Sequence, residues 1–150
     1  MIKKKVYVGS DHAGFSAKRK IMKIVKSLGF EIEDMGPFTD ENNDDYIDFA
    51  KIVCEKVISD KKSFGILICG SGTGMQIAAN KFKGIRAAFA YDNYSAKMAR
   101  FDNDANVLTL RGRKFSSFKY KGIVKNFLKT KFSNYVRHIR RLTKLQKLDS

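Results

Sequence analysis

Three stretches of this 150-residue chain bring together residue types that could do chemistry. The first runs from Gly9 to Gly14 and sets Asp11 beside His12. A carboxyl next to an imidazole can move protons, or can bind sugar hydroxyls and phosphate. In the plainer reading Asp11 caps a helix and His12 is a surface residue. The second stretch runs from Cys69 through Gly70, Ser71, Gly72 and Thr73 to Gly74, and enters a helical run from Met75 to Lys81. Its alternating glycines let the backbone turn tightly and aim several N–H groups at one anionic oxygen, of a phosphate or an enediolate. Cys69 stands at the mouth of that cradle, near a helix N-terminus whose dipole favours negative charge on sulfur. The alternative is a buried strand-end cysteine beside a structural glycine turn. The third stretch, Tyr91 to Asn106, ends in a polar cluster of Asp102, Asn103 and Asn106, which a solvated turn would also explain.

The glycine spacing is neither the dinucleotide fingerprint nor a P-loop. Asp92 follows at roughly the distance of a ribose-binding acid, so a nicotinamide enzyme stays an alternative. No cluster of His, Cys or carboxylates shows metal-ligand spacing, and no metal is expected.

These residues need elements to position them. Five short apolar runs, Val6 to Val8, Phe30 to Ile32, Phe64 to Cys69, Ile85 to Ala90 and Val107 to Leu110, alternate with helical patterns, as in a parallel sheet wrapped by helices. Ile21, Ile24, Val25 and Leu28 recur at helical spacing, with Gly29 where a helix C-terminal glycine belongs. Ala50, Val53, Cys54, Val57 and Ile58 keep the same period, which makes Cys54 a core residue. Pro37 opens a polar loop through Asp45 that could wall a site. A last helix starts near Ser133, with Tyr135, Ile139 and Leu142 on one side and Arg137 and Arg141 on another.

The length suits one domain over 1–150, and no repeat or linker divides it. Two cysteines give neither a disulfide framework nor zinc spacing, and no segment reads as a signal peptide or membrane span. A soluble, cytoplasmic protein is expected. The net charge is +15, and residues 111–150 hold 13 Lys and Arg against Asp149 alone. Such a tail suits phosphate, on a metabolite or on nucleic acid.

Taken in order, five segments resemble the type B ribose-5-phosphate isomerases and their relatives, the galactose-6-phosphate and allose-6-phosphate isomerases. They are Gly9 to Gly14, Asp45 to Ala50, Gly65 to Gly74, Ala78 to Ala87 and Asn103 to Val107. The resemblance covers residues 5–141. It implies an α/β fold, a three-layer Rossmann-like sandwich with a five-stranded parallel sheet and an additional C-terminal helix. It also implies a cofactor-independent aldose-ketose isomerase of the pentose phosphate pathway, interconverting ribose 5-phosphate and ribulose 5-phosphate through an enediolate.

By the same resemblance, Cys69 is the base that moves a proton between C1 and C2. Backbone N–H groups of Gly70 to Gly74 (Gly70, Ser71, Gly72, Thr73 and Gly74) would hold the enediolate, and the Ser71 hydroxyl would help bind or polarise the sugar oxygen. Asp11 and Tyr46 would contact hydroxyls, with Asn103 joining from a neighbouring subunit. His12, Arg113, Arg137 and Arg141 would clamp the phosphate, and His138 also falls on a family position. A homodimer or tetramer with its site completed across the interface is implied. Two departures stand out. Many relatives have a ring-opening histidine where this chain has Asp102, so ring opening could pass to Asp102, Asp11 or Ser71. Ile47 replaces a usual proline, a loop adjustment. The rival readings are a hexose-phosphate isomerase of the same family and, from another class, a nucleic-acid module on the basic tail, which lacks a reader motif.

Overall fold

The computed structural model describes residues 3–41 and 43–149. Five strands, β1 (Lys5–Ser10), β2 (Glu31–Asp34), β3 (Phe64–Cys69), β4 (Ala87–Phe89) and β5 (Val107–Arg111), form one parallel sheet in the order β2-β1-β3-β5-β4. Six helices connect or follow them: α1 (Phe15–Ser27), α2 (Tyr46–Ser59), α3 (Thr73–Ala79), α4 (Asn93–Asn103), α5 (Phe118–Lys129) and α6 (Val136–Gln146).

Because strand side chains alternate between faces, each central strand feeds two cores. Val6, Val8, Ile66, Ile68, Leu108 and Leu110 pack against α1, α4 and α5. Tyr7, Leu67, Cys69 and Val107 pack against α2 and α3. The result is the expected three-layer Rossmann-like α/β sandwich, with α6 added against α4. Among the described residues, no helix is long and apolar enough to cross a membrane.

The expected strands shift at their ends: β2 starts after Phe30, and β4 is shorter than the run from Ile85 to Ala90. Gly29, at φ +88°, follows α1 as expected. Two helices lie outside the sequence expectation. The buried stripe of α4 is Ala96, Ala99 and Arg100, small or charged residues that give a weak periodic signal. Helix α5 buries Tyr120, Ile123, Val124, Phe127 and Leu128, a clear helical period on a segment otherwise dominated by its lysines.

Candidate functional site

The chain leaves β1 towards β2 on one side and enters β3 on the other, so the carboxyl ends of β1 and β3 flank a topological switch point. There, diverging connections open a crevice where α/β proteins bind ligands. Three loops are stitched together at this spot. Gly112 N–H donates to the Cys69 carbonyl at 2.8 Å and Arg113 N–H to the Gly70 carbonyl at 3.1 Å, carrying the β3–β5 pairing past the strands. Asp11 N–H reaches the Ile68 carbonyl at 3.2 Å. Gly14 passes so close to β3 that an added Cβ would lie 2.6 Å from the Ile68 oxygen.

Cys69 ends β3 and keeps 5% of its surface exposed. Its Sγ accepts the Gly72 N–H at 3.1 Å. Gly72 has φ +81° and lies against the Phe89 ring, a backbone and a space that exclude a side chain. Ser71 and Thr73 are exposed, their hydroxyls 2.8 Å apart, and Thr73 N–H donates to Ser71 Oγ at 3.3 Å. The cradle therefore differs from expectation in one respect. The Gly72 and Thr73 amides serve Cys69 and Ser71, whereas among the described residues those of Ser71, Gly74 and Met75 have no protein acceptor.

Around this turn stand four more of the expected residues. Asp11 is 8% exposed and accepts the Gly14 N–H at 3.0 Å, capping the 3-10 turn His12–Gly14. The plainer reading, a capping Asp11, thus holds alongside its place in the site. Burial pushes its carboxyl above the usual carboxylate range, against the opposing pull of the Gly14 amide and His12. His12 is half-buried beside Asp44, with Nδ1 and Asp44 Oδ1 2.8 Å apart. Asp44 belongs to the loop read as a wall, but no motif marked it. Tyr46, the first residue of α2, lays its ring on Gly74, where an added Cβ would meet it at 3.1 Å. Arg113 covers Gly70, with Cδ and Nη1 3.4 Å from where a Cβ would stand.

The remaining expected residues lie elsewhere. Asp102 and Asn103 form the last turn of α4, not a loop, and sit just before the amino end of β5. The five residues of β5 separate them from Arg113, roughly 16 Å of strand. A clamp fixes this helix end. Asp104, at φ +46°, accepts from Arg86 at 3.0 Å and Arg100 at 2.8 Å, and Arg86 Nε also reaches the Asn103 carbonyl at 3.2 Å. His138 is 4% exposed and faces α4. Its Nδ1 lies 2.6 Å from Ser133 Oγ and its Nε2 3.6 Å from Asp102 Oδ1, because its position on α6 turns it towards α4. Arg137 and Arg141 are exposed on α6, Arg137 stacking 4.9 Å over Tyr135. Within one chain, then, Asp11, His12, Tyr46, Cys69, Ser71 and Arg113 gather at one end of the sheet, while Asp102 and Asn103 sit at the other.

Cys54 is wholly buried in the core under α2, and burial pushes its thiol up to about 12. Among the described residues no group of three or more His, Cys, Asp or Glu could hold a metal ion.

A glycine-lined, cysteine-bearing turn at the switch point of a parallel sheet, flanked by an acid, a histidine and an arginine, defines a Rossmann-like protein built for small anionic ligands. Comparison with known proteins narrows the class. The sequence model described as Ribose/Galactose Isomerase matches residues 6–145, and the chain belongs to that family. It is 38% identical over 138 residues to ribose-5-phosphate isomerase B of Mycobacterium tuberculosis, spanning 92% of this chain and 85% of that protein. Its structure is similar to the type B ribose 5-phosphate isomerase of Trypanosoma brucei, with TM-score 0.94, 42% identity and coverage of 98% and 99% of the two chains. Similar too is the Mycoplasma genitalium ribose-5-phosphate isomerase B solved with bound ribulose-5-phosphate, at TM-score 0.94, 39% identity and coverage of 99% and 98%.

Proposed function

We propose that residues 1–150 act as one cytoplasmic domain that interconverts ribose 5-phosphate and ribulose 5-phosphate in the pentose phosphate pathway. The observation that carries this reading is the Cys69 sulfur, held by the Gly72 amide on the glycine turn that faces the β1–β3 switch point. Isomerisation removes a proton from the carbon next to a carbonyl and returns it to the neighbouring carbon. Electrons are redistributed within the sugar, so no redox partner is consumed.

Cys69, as thiolate, takes the C2 proton of the open-chain aldose. The negative charge that develops on the carbonyl oxygen falls to the Ser71, Gly74 and Met75 amides, which have no acceptor among the described residues. The Ser71 and Thr73 hydroxyls, 2.8 Å apart, can pass the remaining proton between the two sugar oxygens. The thiol then delivers its proton to C1. Asp11 and Tyr46 meet hydroxyls of the chain, and His12 and Arg113 receive the phosphate.

Arg137, Arg141, Asn103 and Asp102 reach this site only from a second copy of the chain, and the active form is a homodimer. The exposed apolar residues Val136, Ile139, Leu145 and Leu148 along and just beyond α6 support such a contact. Asp102 in the place of a ring-opening histidine favours a second reading within the family, a hexose-phosphate isomerase. A turnover assay with ribose 5-phosphate, allose 6-phosphate and galactose 6-phosphate tests both. Highest kcat/KM on ribose 5-phosphate supports the first reading, preference for a hexose phosphate the second, and turnover of none refutes both. The family membership favours either over a nucleic-acid module.

A further inference from the structure

We propose that Asp44 is a positioning residue for His12, holding its ring so that Nδ1 is occupied and Nε2 is left for the substrate phosphate. The inference deepens the function proposed above, because it concerns how that site presents its imidazole.

Asp44 Oδ1 serves His12 twice, accepting the backbone N–H at 3.3 Å and lying 2.8 Å from Nδ1. An ionised carboxylate can only accept, so Nδ1 carries a hydrogen and Nε2, across the ring, is left for a ligand. The pair is largely withdrawn from water, with side-chain exposures of 29% for His12 and 13% for Asp44. A free imidazole would exchange tautomers and turn about its bonds; two contacts to one oxygen prevent both.

The loop bearing Asp44 is fixed at its other end as well. Lys18, 1% exposed, donates to Asp34 Oδ1 at 2.7 Å and to the Pro37 carbonyl at 2.6 Å, and its ammonium lies over the Phe15 and Phe38 rings. Burying a lysine is unfavourable unless its charge is paired and hydrogen-bonded, and here Asp34 and the Pro37 carbonyl provide both. Helix α1 thus anchors the start of the loop and the 3-10 turn anchors its end. Asp44 Oδ2 is buried with no partner among the described residues. An unmade buried acceptor works against stability, which is expected of a carboxylate placed for His12 and not for the fold.

The test reads the ring directly. With His138 as the second histidine and internal reference, nitrogen NMR near pH 8, above the ordinary histidine range, reports which nitrogen of His12 bears the proton. Nδ1–H is expected in the wild type and in Asp44→Asn, whose amide oxygen can still accept. Asp44→Ala is expected to move the proton largely to Nε2 and to raise the substrate KM about tenfold, with kcat changed much less. Unchanged His12 ring signals in Asp44→Ala overturn the proposal, as does an unchanged KM in a variant whose tautomer has shifted. The NMR result stands apart from turnover: a wild-type protein inactive on sugar phosphates refutes the function proposed above while leaving the ring assignment intact. Should Asp44→Ala fold poorly, Asp44→Leu, with the same branched outline and no acceptor, gives the same readout.

Discussion

The two ends of the sheet are built on different principles. At the carboxyl end three of the candidates hang on backbone that finishes a buried strand, while Tyr46 opens α2: β1 delivers Asp11, β3 delivers Cys69, and β5 delivers Arg113 through hydrogen bonds that continue the ladder. At the amino end the candidates sit on helix termini and helix surfaces. Asn103, Arg137 and Arg141 are exposed, and what holds the end of α4 is the side-chain clamp of Arg86 and Arg100 on Asp104. A strand end fixes atoms to the tolerance that bond making demands. An exposed arginine on a helix suits a longer reach to a charge, where direction matters less. On the proposed mechanism one end carries the proton transfer and the other the grip.

Substitutions at the two ends should leave different kinetic signatures. Cys69→Ala removes the proposed base, so kcat should fall about a thousandfold or more while KM and the melting temperature stay close to wild type. Arg141→Ala removes the proposed phosphate contact, which would act equally in ground and transition states, so KM should rise roughly tenfold or more with kcat little changed. Steady-state kinetics on the two variants decide the matter. A kcat loss from Arg141→Ala as deep as that from Cys69→Ala would erase the division of labour.

A smaller effect asks whether the two ends meet across copies. Co-expression of Cys69→Ala with the Arg137→Ala and Arg141→Ala double variant gives mixed dimers. In each, one site pairs an intact turn with intact arginines and the other is doubly broken. Random pairing then restores about a quarter of the wild-type rate, although neither parent alone is active at low substrate. If one chain supplied both halves, the mixture would not exceed the average of its parents.

The same contrast explains what was legible in the sequence. The carboxyl end was readable because strand-end chemistry is written contiguously: Asp11 beside His12, and Cys69 with its three glycines. Their spacing is the geometry. The amino end was legible only as a set of residue names, because whether Asp102 faces Cys69 depends on where α4 stops, and alanines gave no signal of that helix. That His138 packs beside Ser133 is a matter of helix phase that the residue type does not reveal. Asp44 was missed for a related reason, since its partner lies 32 residues earlier and no local spacing links them. The glycine turn after β3 is written in the sequence, but which amides stay free depends on Gly72 turning its N–H to sulfur.

The subtlest consequence concerns Asp11, where the carboxyl end stores its strain. Burial raises this carboxyl above the usual range, so between the unfolded and folded values the native state holds a proton that the unfolded chain has released. Native stability therefore falls as pH rises through that interval, and the penalty persists at neutral pH. Asp11→Asn keeps an oxygen for the Gly14 amide but cannot ionise. It should raise the melting temperature at neutral pH, and the gain should shrink as pH drops below the unfolded carboxylate value of about 3.9. Thermal denaturation of both proteins across this range reads the difference. Equal stability at neutral pH, or a gain that grows in acid, would mean that Asp11 is not held at a cost, and that the carboxyl end is no more strained by its chemistry than the amino end.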